Sequence, residues 1–180
     1  MTGKVLWQWK PRITQENLLD RGKTAPARAE FELVAAGLVT AFGPQSPPLA
    51  QAQGYLCTCD LQANVAAATS CDTALATAEH VFGPNNPQLV WFLVMVGQAR
   101  TAAGADAITP LERALAISEH GSVMPNDRAL ATGFLALALH GAHREPARAA
   151  RLANEAKLAL AAFPDQPKLQ QELAAAFPTI

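Results

Sequence analysis

Apolar positions recur at spacings of three and four along most of this chain, and glycine, asparagine or proline cuts the runs at regular intervals. Leu18 and Leu19 predict a short helix, capped by Thr14 and ended by Gly22. A second helix starts near Thr24, tolerates Pro26 in its first turn, and gathers Phe31, Val34, Ala35 and Leu38 on one face. Gly43-Pro44 closes it. From Pro48 a new helix carries Tyr55, Leu56, Cys59 and Leu61, and Asn64 stands where a left-handed stop residue is expected. Ala67, Ala68, Cys71, Ala74, Leu75 and Ala78 then form a continuous stripe on a helix from about Val65 to His80.

Leu89 to Val96 is apolar all round. Its continuation through Gln98, Ala99, Arg100 and Ala102 to Gly104 predicts a helix packed on two sides rather than a buried strand. The partner helix, about Asp106 to His120, turns Ile108, Leu111, Ala114, Leu115 and Ile117 inward, with Pro110 in its first turn. A fourth pair spans 127–141 and 145–162, with Pro146 at an early position. A last helix over 167–177 has Leu169, Leu173 and Phe177 on one face and Lys168, Gln170, Gln171 and Glu172 on the other, the profile of a capping helix.

These elements repeat. Phe42-Gly43-Pro44 returns 40 residues later as Phe82-Gly83-Pro84, and Pro44, Pro47 and Leu49 return as Pro84, Pro87 and Leu89. Pro164, Pro167 and Leu169 repeat them again, 80 residues further on. Glu79-His80 becomes Glu119-His120, and Ala74-Leu75 becomes Ala114-Leu115. The stop positions Gly22, Asn64 and Gly104 are followed by a fourth near His143. Self-similarity at such a period marks stacked units that bury one another's apolar faces. The expected fold is therefore all-α, with helical pairs at about 14–42, 48–80, 88–120 and 127–162 and a cap at 167–177.

Composition narrows the function. With 180 residues and a formal charge of −1, the chain offers no electrostatic case for nucleic acid or an anionic membrane. Its longest apolar run is far short of the ~20 residues a transmembrane helix needs. The N-terminus has Lys4 but only Val5-Leu6-Trp7 before polar residues, so no signal peptide is expected there. Three cysteines, Cys57, Cys59 and Cys71, make an odd count without regular pairing. That pattern is expected of a reducing cytoplasm rather than of a disulfide framework. Residues two apart on a helix point to different faces, so the C-x-C of Cys57 and Cys59 is read as core filler and not as a metal site. His140 and His143 sit at a helix end, and His80 and His120 near helix C-termini, where they complement the dipole. There is no nucleophile elbow, phosphate-binding glycine loop, zinc-protease helix or kinase signature, so neither an enzyme nor a cofactor is expected.

The turn Phe82-Gly83-Pro84-Asn85-Asn86-Pro87 and the helix Pro110-Leu111-Glu112-Arg113-Ala114-Leu115-Ala116-Ile117 carry a family resemblance. They resemble the LGPDHP turn and the PL-x-RRALAI second helix of tetratricopeptide repeats, in the longer form typical of kinesin light chains and many bacterial proteins. Gly97 and Gly104 fit the two glycines of the family's first helix. Arg100 replaces an aromatic, the turn from Gly104 to Ala107 is short, and the turn at 121–127 is degenerate. The resemblance covers roughly residues 14–177. Its implied fold is a right-handed superhelix of stacked helical pairs whose first helices line a concave groove. Its implied role is a cytoplasmic interaction scaffold. Such repeats also occur C-terminal to bacterial serine/threonine kinase domains, which implies as an alternative a regulatory or sensor module for a signal peptide or small ligand. In the family register Trp91, Val94, Gln98 and Thr101 face the groove, as do Gln51, Gly54, Thr58 and Leu61 one repeat earlier. This lining is uncharged, so a peptide with apolar anchors suits it better than a carboxylate or phosphate.

Residues 1–13 fall outside the repeats. Val5, Trp7 and Trp9 alternate with Leu6 and Gln8, which predicts an extended segment reinforced by Pro11. Trp7 and Trp9 are expected to cover the first hairpin as a cap, or else to dock in the groove of their own chain or of a neighbour as a dimer arm.

Overall fold

The computed structural model describes residues 22–164 and 166–178. Among them stand eight helices and no strand: α1 Thr24–Phe42, α2 Pro47–Gln62, α3 Ala68–Phe82, α4 Leu89–Ala102, α5 Ile108–His120, α6 Pro125–Gly141, α7 Pro146–Leu160 and α8 Pro167–Ala176. Proline occupies the first helical turn of α2, α6, α7 and α8, where its missing N–H costs least. The helix expected over Thr14–Gly22 and the extended segment with Trp7 and Trp9 lie outside the described residues.

The chain divides into two compact units, Met1–Pro84 and Asn85–Ile180. In the first, α2 packs on both α1 and α3. Phe31 and Ala27 of α1 close over Cys59, and the Phe31 ring stacks on Tyr55 at 4.9 Å. Leu38 meets Leu49 and Ala52. One polar link crosses the same interface. The Arg28 guanidinium donates through Nε to the buried Asp60 carboxylate at 2.7 Å and also pairs with Glu32.

In the second unit α4 packs on α5 and α6, and α6 packs on α7 and α8. Leu89, Val90, Phe92, Leu93, Val94, Met95, Val96, Gly97 and Ala99 are all buried, as expected of a helix covered on two sides. Burial of these side chains drives the packing of the unit, at about 25 cal/mol per Å2 of apolar surface removed from water. Gly121 lets the turn after α5 approach Pro87, because a Cβ there would lie 2.6 Å from Pro87 Cγ. Arg148 of α7 forks onto Glu112 of α5, at 2.5 and 2.7 Å.

The second unit ends as a cap. Leu169 and Leu173 of α8 are buried against α6, where Gly133 leaves just enough space for both. Gln170 does not face solvent with its neighbours, contrary to the amphipathic pattern. Its amide donates to the Leu160 carbonyl at 2.7 Å, adding a side-chain donor to the Phe163 N–H that this carbonyl already accepts at the end of α7. The Lys157 ammonium donates to the Phe177 carbonyl just past the end of α8.

The turns inside the pairs are equivalent. Asn64, Gly104 and His143 all have positive φ, at 52°, 65° and 53°. The next N–H in each case reaches back five residues: Val65 to Asp60, Ala105 to Arg100 and Arg144 to Leu139. This is the Schellman closure, which ends a helix from its own backbone. α3 starts at Ala68 rather than near Val65, because the left-handed Asn64 turns the chain out of α2 and residues 65–67 carry it across outside either helix.

Two of the three cysteines are paired, which corrects the sequence expectation. Cys57 of α2 and Cys71 of α3 form a disulfide, and Cys59 is a buried free thiol. The loop closed has a sequence separation of 14. Closing a loop of that size stabilises a fold by about 3 kcal/mol in the chain-entropy account. The cysteine count therefore no longer argues for a reducing compartment.

Candidate interaction surfaces

Among the described residues, α4 and α2 each offer a stripe that is not fully buried. On α4 the stripe is Trp91, Gln98 and Thr101, at spacings of seven and three that hold one face. Trp91 is half-buried, with its ring edge-on to Phe92 at a centroid distance of 4.8 Å. Thr101 is exposed and returns its hydroxyl to the Gly97 carbonyl at 2.9 Å. Val94, expected on the same face, is only 2% exposed. It belongs to the core, because α5 and α6 both close on α4.

On α2 the matching positions are Gln51, Thr58 and Leu61, all half-buried. Thr58 donates to the Gly54 carbonyl at 3.1 Å. Gly54 itself is buried, so it shapes this face without forming part of the accessible surface. Each stripe is uncharged, as the sequence implied. Arg28, Asp60, Glu112 and Arg148 are engaged in the helix-to-helix pairs described above.

Other candidate chemistry is structural. Among the described residues no group of three or more His, Cys, Asp or Glu side chains could hold a metal ion. His143 supplies the left-handed turn residue after α6, and the His140 ring lies 4.9 Å from that of Phe177. Burial, together with the neighbouring Asp60 charge, pushes the Cys59 thiol up to about 11, so it is a poor nucleophile at neutral pH. No helix among the described residues is long and apolar enough to cross a membrane.

Backbone architecture defines the class: an all-α helical repeat fold of the TPR-like kind. Two crystal structures, of a candidate kinesin light chain from Podosopora anserina built of nearly identical TPR-like repeats and of a point variant of it, are similar to this chain. They superpose with TM-scores of 0.69 for the variant and 0.68, each over 91% of this chain. The match spans 81% and 82% of those chains at 18% sequence identity. No family model and no curated protein matches the sequence.

Proposed function

We propose that this chain is a protein-interaction module that takes an extended or helical peptide segment of a partner protein, and that it works without catalysis or a cofactor. The observation that carries this reading is the stripe of Trp91, Gln98 and Thr101 on a helix whose other side chains are almost all buried. An indole presented beside an amide and a hydroxyl combines a large apolar contact with orienting hydrogen bonds, the combination that dominates protein interfaces. Gln51, Thr58 and Leu61 form a second such stripe in the first unit. The near-neutral charge of the chain favours a peptide with apolar anchors over nucleic acid or an anionic membrane.

The test is selection from a displayed peptide library against the full chain, followed by affinity measurement on Trp91→Ala and Gln98→Ala. Selected peptides should lose tenfold or more in affinity while melting stays unchanged. Peptides that bind both variants as well as the wild type would place the binding surface elsewhere.

A further inference from the structure

The disulfide occupies a place that recurs in every complete helical pair. Cys57 and Cys71 lie seven residues before and seven after the turn residue Asn64. Gly97 and Leu111 hold the same two places about Gly104. Ala136 stands seven before His143, and Ala149 is its counterpart on α7, where the turn is one residue shorter. In all three pairs the second member is the fourth residue of its helix.

At this place the two helices of a pair meet closely, and the volumes are matched. A Cβ on Gly97 would lie 2.6 Å from Leu111 Cγ, so glycine is what admits the leucine. Ala136 and Ala149 are both 0% exposed. Cys57 and Cys71 have Cα atoms 4.8 Å apart, inside the range that a disulfide spans without moving either backbone.

We infer that Cys57 and Cys71 form a dedicated oxidation site, a covalent substitute for the packed helix crossing of the other pairs, and that the chain acquires this bond from a disulfide donor in an oxidising compartment. The exchange balances as two thiols and one donor disulfide giving the Cys57–Cys71 bond and two donor thiols. One cysteine thiolate attacks a donor sulfur and expels the first donor thiolate. The other then attacks the mixed disulfide and expels the second. Cys59 is set apart from this chemistry. It lies two residues from Cys57 on another face of α2, buried beneath Ala27 and Phe31 of α1. Pairing is thereby unique. Cys57 and Cys71 are 0% and 1% exposed, so a reductant must wait for the hairpin to open. The bond is a lasting staple. The inference does not depend on which partner the chain binds.

The full chain, equilibrated in a glutathione buffer rich in the oxidised form, is denatured, treated with N-ethylmaleimide and weighed by mass spectrometry. One maleimide, on Cys59, is expected, and three after prior reduction with a phosphine. Reduction should lower the melting temperature of the wild type by roughly 6–12 °C. The variant C57G/C71L, which borrows the Gly97 and Leu111 pair, should keep the helical circular dichroism and melt identically with or without reductant. Three maleimides after oxidation, a persistent glutathione adduct, a bond involving Cys59, or a wild type whose melting ignores verified reduction would each overturn the inference. If C57G/C71L does not fold, the maleimide count and the wild-type melting shift still decide.

Discussion

Leu111 fills the space that a side chain on Gly97 would need, with its Cγ 2.6 Å from the Cβ position that glycine leaves empty. Both residues are buried, so neither can swing outward. Gly97→Ala should cost about 1–3 kcal/mol through overpacking. Leu111→Ala should cost about 2–5 kcal/mol through the cavity it opens. The double variant recreates the Ala136 and Ala149 pair. It should lose clearly less than the sum of the two, a coupling that denaturant melts of all four proteins would measure.

His143 holds a left-handed backbone conformation with φ 53° on an exposed turn. That conformation costs a residue with a Cβ roughly 1 kcal/mol, and less for asparagine, which tolerates it. His143→Gly should therefore raise stability by about 0.5–1 kcal/mol, and Asn64→Gly by a smaller amount. Chemical denaturation read by far-ultraviolet circular dichroism is the check.

Asp106 accepts the Thr109 hydroxyl and the N–H groups of Thr109 and Ile108 at the start of α5, and these bonds hold its carboxyl below the ordinary range. A depressed folded value stabilises the fold above the unfolded carboxylate pKa and loses that contribution as pH falls through the folded value. Asp106→Ala should accordingly melt lower than the wild type at neutral pH. The gap should narrow as the solution is acidified through and below the usual carboxylate range. A gap that is constant with pH would show that the cap acts without its charge.

Leu173 is fully buried where α8 closes the second unit. Leu173→Ala should cost about 2–5 kcal/mol. Detachment of the cap should also free the segment between α7 and α8, so limited proteolysis ought to cut near residues 161–166 before the rest of the chain.

The helices were legible because Phe31, Leu38, Leu111 and Leu173 keep helical spacing and because glycine, asparagine and proline mark the ends. The accessible faces were legible in direction but not in depth. Val94 shares a face with Trp91 and Gln98, yet it is buried on a helix that packs against both α5 and α6, which no single-helix pattern reports. The disulfide was missed for a different reason. Counting three cysteines and noting that two lie two apart treats them as local chemistry. The informative fact was long-range: Cys57 and Cys71 are equidistant from the turn at Asn64, as Gly97 and Leu111 are from Gly104.

The matched pairs at the helix crossings also set rules for recombination. A hairpin can be exchanged whole, since its two crossing residues travel together. A breakpoint inside the turn cannot be neutral. Joining the stretch of sequence that ends at Asn64 to the one that follows Gly104 would set Cys57 against Leu111, overfilling the crossing and stranding a thiol. The reciprocal product would set Gly97 against Cys71 and leave a void. Viable shuffled descendants of this chain should therefore break between pairs, at Gly43-Pro44 or Gly83-Pro84, and not at the turns within them.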